Sequence, residues 1–256
     1  VDKLGKFLRA PSAIGTAPHR RAKSMKVIGR WATVGFAVLA VVLGAAVASV
    51  AVRFMTPATQ NLDLYGRISN GTRLAVVSLA FAPVMIITLM LASRRSGSSV
   101  LAYLGLDIPR RRHIAITVAG LAVWIVFATM LNLVLGRDAQ PWTLAIHRSA
   151  QAEGSLIWLW LAIVIASPIS EEILYRGFMF RGFVHAPRDA LPSIVLISLI
   201  WSLQHIQYDL LDITELFVLG LLLGLVRWST GSTTLTILLH AVNNLVGFIL
   251  LEFELA

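Results

Sequence analysis

Apolar stretches separated by polar and basic connections set the organisation of the chain. A helix needs about 20 mostly apolar residues to cross a bilayer. Residues 31–52, 74–93 and 114–136 meet that need without one Asp, Glu, Lys or Arg, although Pro83 interrupts the second. The second half is less clean. Residues 155–170 are uncharged but run directly into Glu171 and Glu172, and residues 190–208 carry His205. Residues 216–226 lie between Glu215 and Arg227, and residues 228–251 hold His240, Asn243 and Asn244. The pattern predicts an all-α, polytopic transmembrane helical bundle of about seven spans.

The basic residues test that count independently, because cytoplasmic connections carry the excess of Lys and Arg. Alternating spans put 17 of the 22 Lys and Arg residues on one side, eight of them within residues 1–30, and 5 on the other. This split predicts a cytoplasmic N-terminus and an external C-terminus. Residues 1–26 form a basic cytoplasmic segment lying against anionic headgroups. Residues 27–150 form three N-terminal spans, and residues 151–256 a core of about four. The first apolar run of 22 residues exceeds the 7–15 of a secretory signal, so an uncleaved helix is expected there.

Composition agrees. Hydrophobic residues make up 57% of the 256 and charged ones 14%, against about 25% charged in soluble domains. A net charge of +9 would suit nucleic acid or a membrane surface. The apolar spans decide for the lipid bilayer as partner, with no nucleic acid. The chain has no cysteine, which excludes disulfides, thiolate nucleophiles and Cys-based metal sites.

Ionisable groups at membrane depth are costly and tend to be functional. The first three spans hold none, whereas the second half gathers Glu171, Glu172, Arg176, His205 and His240 with Asn243 and Asn244. Pro168 disfavours helix just before this cluster. Ser170 is therefore expected to cap a helix start, with both glutamates in its first turn. Arg176 sits four residues from Glu172 and shares its face, ready to pair with Glu172 or Glu171. The chain turns near Arg188, which lies 17 residues after Glu171 and 17 before His205. In an antiparallel hairpin both lie roughly 25 Å from the turn, at the same depth. His240 and Asn244, four apart, face one side together. Each cluster alone is equally well read as structure: an ion-pair staple, a bonded histidine, interhelical glue. Gly220 and Gly224 form a small-residue face for close helix packing. The remaining histidines, His19, His113, His147 and His185, fall in basic or loop segments and require no site.

Glu171-Glu172-x-x-x-Arg176, an aromatic-x-x-x-His ending at His205, and His240-x-x-x-Asn244 together resemble the motifs of the CPBP intramembrane proteases. That family includes the type II CAAX prenyl endopeptidases and bacteriocin-processing or immunity proteins. The resemblance covers about residues 155–250. Trp201 and Tyr175 stand where the family usually has Phe, and both are expected to leave the chemistry undisturbed. The resemblance implies an endopeptidase of the bacterial cell membrane, acting on a membrane-associated protein or peptide, with its site open toward the cytoplasm. Glu171 and His205 would activate water, His240 and Asn244 would stabilise the oxyanion, and Glu172 and Arg176 would support them. Donors of this kind suit a tetrahedral intermediate. No metal is required by this reading. The zinc alternative would use Glu171, His205 and His240 with water in the fourth position. Two other classes fit the same residues: a non-catalytic scaffold or immunity protein, and a small proton-coupled transporter. Transport is disfavoured by the lack of an inverted repeat.

Overall fold

The computed structural model describes residues 26–255. Among the described residues nine helices carry the architecture, with one further five-residue helix at Leu64–Ile68: α1 (Arg30–Met55), α2 (Gly71–Ser93), α3 (Val100–Leu104), α4 (Arg111–Val134), α5 (Pro141–Ala152), α6 (Leu156–Phe183), α7 (Ala190–Leu203), α8 (Leu210–Thr230) and α9 (Thr233–Leu255). Among the described residues there is no strand. All seven apolar segments become helices. Five of them, α1, α2, α4, α6 and α9, are long and apolar enough to cross a membrane. The 14 residues of α7 reach about 21 Å at 1.5 Å per residue, less than the roughly 30 Å of a hydrocarbon core. Asp212, Glu215 and Arg227 interrupt the apolar character of α8.

The pair α7 and α8 packs closely because α8 presents glycines. A Cβ on Gly224 would lie 2.6 Å from Ile194, and one on Gly220 would lie 2.9 Å from Ser198. Any side chain at either position would push the two helices apart.

Two polar ends bound the molecule. At one, the Lys26 amide donates to the Ser96 carbonyl at 3.1 Å and Arg30 pairs with Asp189 at 3.1 Å. There, too, the Thr233 amide donates to the Gly105 carbonyl at 2.7 Å. At the other end, Asn70 donates to Glu153 at 2.7 Å, Arg137 pairs with Asp209, and the Ala139 amide donates to Glu254 at 2.7 Å. Alternate connections therefore gather at alternate ends, as the basic-residue pattern requires. Lys3, Lys6, Arg9, Arg20, Arg21 and Lys23, and with them the headgroup contact expected of residues 1–26, lie outside the described residues.

The expected helix start at Ser170 is not observed. Residues 156–183 form one helix, and the Ser170 hydroxyl donates to the Ser167 carbonyl at 3.1 Å instead of capping. Proline normally breaks a helix because it lacks an N–H and its ring crowds the preceding turn. Here the helix widens to π geometry over Leu161–Ala166, just before Pro168, and again over Ile173–Met179. Such insertions absorb a local misfit without ending the helix. The single α turn between them, Ser167–Glu172, carries both glutamates.

Candidate active site

The two carboxylates of α6 point into different surroundings. Glu172 is fully buried. Its Oε1 accepts from Arg176 Nη1 at 2.8 Å and faces His240 Nδ1 at 3.0 Å. The second guanidinium nitrogen of Arg176 donates to the Gly220 carbonyl at 3.2 Å. This Arg fork thus joins α6 to α8, and Glu172 joins α6 to α9. The pairing that the spacing left open falls on Glu172. A buried charge is tolerated only when paired and hydrogen-bonded, and Glu172 has two partners.

Glu171 instead lines a cleft of about 710 Å³. Trp201 Nε1 donates to its Oε2 at 2.5 Å. A carboxylate offers about four acceptor positions, so this bond fixes the group without saturating it. His205, His240, Asn243 and Asn244 line the same cleft. The clusters read from the sequence are therefore brought together, but not by the pairing expected. The residue that meets Glu171 across the hairpin is Trp201, one helical turn before His205. Two local effects move the register. The π turns of α6 hold more residues each and so climb less per residue, and α7 ends at Leu203, leaving His205 in the following turn.

Both ring orientations are set by acceptors. His205 Nδ1 lies 3.0 Å from the Trp201 carbonyl, and His240 Nδ1 faces Glu172. Since carbonyls and carboxylates only accept, each Nδ1 carries its proton. Each Nε2 is then an acceptor in the neutral ring and a donor in the imidazolium. Both rings pack against the indole of Trp201 in T-shaped contacts, at 5.5 Å and 5.3 Å between centroids. Arg176 sits over the same indole at 4.8 Å.

Asn244 owes its orientation to Pro168. In the first π turn the Ser167 amide reaches five residues back to the Ala162 carbonyl. In the next bond of that register, the Ile163 carbonyl would pair with residue 168, which is proline and has no N–H. Asn244 Nδ2 supplies the donor at 2.9 Å. One of its two N–H groups remains for other use.

The zinc alternative does not fit this arrangement. Among the described residues no three His, Asp or Glu side chains converge as a ligand set. Glu171 is turned onto Trp201, and both histidines pack against that indole.

Two residues do more than their sequence reading gave them. Tyr175 donates to Gln204 Oε1 at 3.0 Å at the cleft wall. His147, expected to be unremarkable, is buried on α5 and pairs with Glu252 of α9 at 2.7 Å. Only its i,i+4 neighbours on an amphipathic α5 could have hinted at this.

The cleft lining also has a direction. It runs from Met85, Tyr175 and His240 at mid-depth to Leu74, Trp142 and Tyr208 at the end where Asn70 meets Glu153. None of the residues at the Lys26–Ser96 end lines it.

An all-helical, multi-pass membrane bundle with an acid–histidine–amide cleft between its C-terminal helices is the class that fold and site define. Residues 153–246 match the family model described as Type II CAAX prenyl endopeptidase Rce1-like. An uncharacterized 24.3 kDa protein of Escherichia coli is 31% identical over 134 residues, which is 52% of this chain. The matched stretch spans 61% of that relative's length. No solved structure matches.

Proposed function

We propose that the chain is an intramembrane endopeptidase that hydrolyses a peptide bond of a membrane-associated protein or peptide with water activated at Glu171. The observation that carries this reading is the division of labour between adjacent carboxylates. Glu172 is buried away from the cleft, where its Oε1 meets Arg176 and His240, while Glu171 lines the cleft with acceptor positions that open into it. A general base needs that combination of fixed position and free lone pair.

In this mechanism Glu171 takes a proton from water as the oxygen attacks the scissile carbonyl. His205, with Nδ1 tied to the backbone, shares the water through Nε2. Negative charge builds on the carbonyl oxygen, facing the free N–H of Asn244 and His240 in its imidazolium form. Positioned donors matter most at this point because they act on charge that exists only in the transition state. The proton held by Glu171 then passes to the leaving amine. Glu172 and Arg176 hold His240 and the α6 turn in place.

One observation favours a scaffold instead: the polar groups of the cleft largely satisfy one another, as interhelical glue does. Glu171→Gln separates the two. The amide keeps the shape but cannot accept the proton. The variant is expected to fold with an unchanged melting temperature in detergent and to lose the cleavage products that comparative membrane proteomics finds with the parent. Parental cleavage products from a folded Glu171→Gln protein would leave the scaffold reading standing.

A further inference from the structure

The cleft lining reaches one polar end of the bundle and not the other, and the basic residues say which side of the membrane that end faces. We propose that the site receives its substrate from the extracytoplasmic side, as an apolar peptide segment exposed there. As a statement about substrate this rests on the endopeptidase reading; as a statement about the entrance it rests on geometry alone.

Three observations carry it. The lining residues lead outward to Leu74 near the start of α2, Trp142 and Thr143 at the start of α5, and Gln207 and Tyr208 between α7 and α8. All of these belong to one end of the bundle.

The opposite end is sealed. Helix α3 turns back into the bundle and buries Tyr103 and Leu104 completely, with Tyr103 packed against Phe178 of α6. Thr233 donates to the Leu104 carbonyl at 2.5 Å, and Arg227 Nε donates to the Arg176 carbonyl at 2.9 Å. Gly105 follows in the left-handed region at φ 70°, pressed so close that a Cβ would lie 2.8 Å from the Gly231 carbonyl and from Arg227. Nothing of peptide size passes there.

Finally, the sealed end is the basic one. Among the described residues it holds Lys26, Arg30, Arg94, Arg95, Arg110, Arg111, Arg112, Arg181, Arg188 and Arg227, against Arg53, Arg67, Arg73, Arg137 and Arg148 at the open end. Lys and Arg flanking spans are retained in the cytoplasm, so the open end faces outward. The wall opposite Glu171 is apolar, built from Val41, Leu74, Val77, Phe81 and Met85. An extended apolar segment covers that wall while its backbone faces the polar groups.

The absence of cysteine from the chain makes the test clean. Gln207→Cys at the mouth and Arg188→Cys at the sealed end are expressed singly in bacterial spheroplasts. Each is treated with a membrane-impermeant maleimide before and after permeabilisation. Gln207→Cys is expected to label in intact spheroplasts and Arg188→Cys only after permeabilisation. The reverse pattern, or no labelling of Gln207→Cys before permeabilisation, overturns the proposal. If Gln207→Cys does not accumulate, the exposed pair Asn61→Cys and Arg112→Cys reads the same sidedness. Labelling needs no turnover. Reversed labelling with Glu171-dependent cleavage would remove the entrance alone, and the expected labelling with cleavage products unchanged in Glu171→Gln would remove the Glu171-based proteolysis alone.

Discussion

At Trp201 a single indole serves four neighbours. Its N–H holds Glu171, its face carries Arg176, and its ring packs against both His205 and His240. Any aromatic ring fills the space, but only tryptophan brings a donor there. The indole therefore offers Glu171 a donor that a phenyl ring does not. Hydrogen bonds to charged groups contribute about 1.5–3 kcal/mol. Trp201→Phe is expected to lower kcat roughly 10–100-fold, by the tenfold per 1.4 kcal/mol of a rate constant, with KM little changed. Steady-state kinetics of the purified variant check this, and an unchanged kcat would remove the positioning role. The sequence identified Trp201 as an aromatic at the right spacing from His205. It did not show the bond to Glu171, because a contact between residues 30 apart depends on how two helices register.

Among the elements, α6 departs furthest from its sequence reading. Pro168 signals a break, yet neighbouring helices make the unbroken form possible by supplying the donor that proline lacks. This coupling can be measured. Asn244→Ala leaves the Ile163 carbonyl without a donor, at about 1–3 kcal/mol for a buried group. Pro168→Ala restores a backbone N–H in the right register, so Asn244→Ala is expected to cost distinctly less in that background. A double-mutant cycle of unfolding free energies gives the coupling, and strict additivity would sink it. Helix α8 follows simpler rules. Asp209 caps it, accepting from the Leu211 and Asp212 amides at 2.9 Å and 3.1 Å. The Asp212 amide, with Gln140 and Arg137 behind it, holds the Asp209 carboxyl below the usual carboxylate range. A depressed folded value means the stabilisation is present above the unfolded pKa and is lost as pH falls through the folded one. Asp209→Ala is accordingly expected to lower the melting temperature at pH 7, with the gap to the parent closing toward pH 3. A gap independent of pH would contradict it.

For the whole molecule, the seal at the basic end fixes where the cleft can open. Gly105 is its tightest point. An alanine there is strained by the positive φ and meets Arg227 and the Gly231 carbonyl. Gly105→Ala is expected to cost on the order of 1–3 kcal/mol, read as earlier thermal unfolding in detergent; parental stability would show that α3 is not held as described. The sequence by itself determined the membrane class, the seven helical segments, their alternation between a basic and a less basic end, and the residues of the cleft. Those features are local or additive, since apolar run length, charge count and i,i+4 spacing do not depend on how helices meet. Only the tertiary structure decided that Glu172 and not Glu171 joins Arg176 and His240, that Trp201 holds Glu171, that α6 passes through Pro168 unbroken, and which end of the cleft is closed. Each of these rests on a contact between elements distant in the chain. Two adjacent glutamates are equivalent in a sequence, and become different only when an arginine, a histidine and an indole arrive from other helices to meet them.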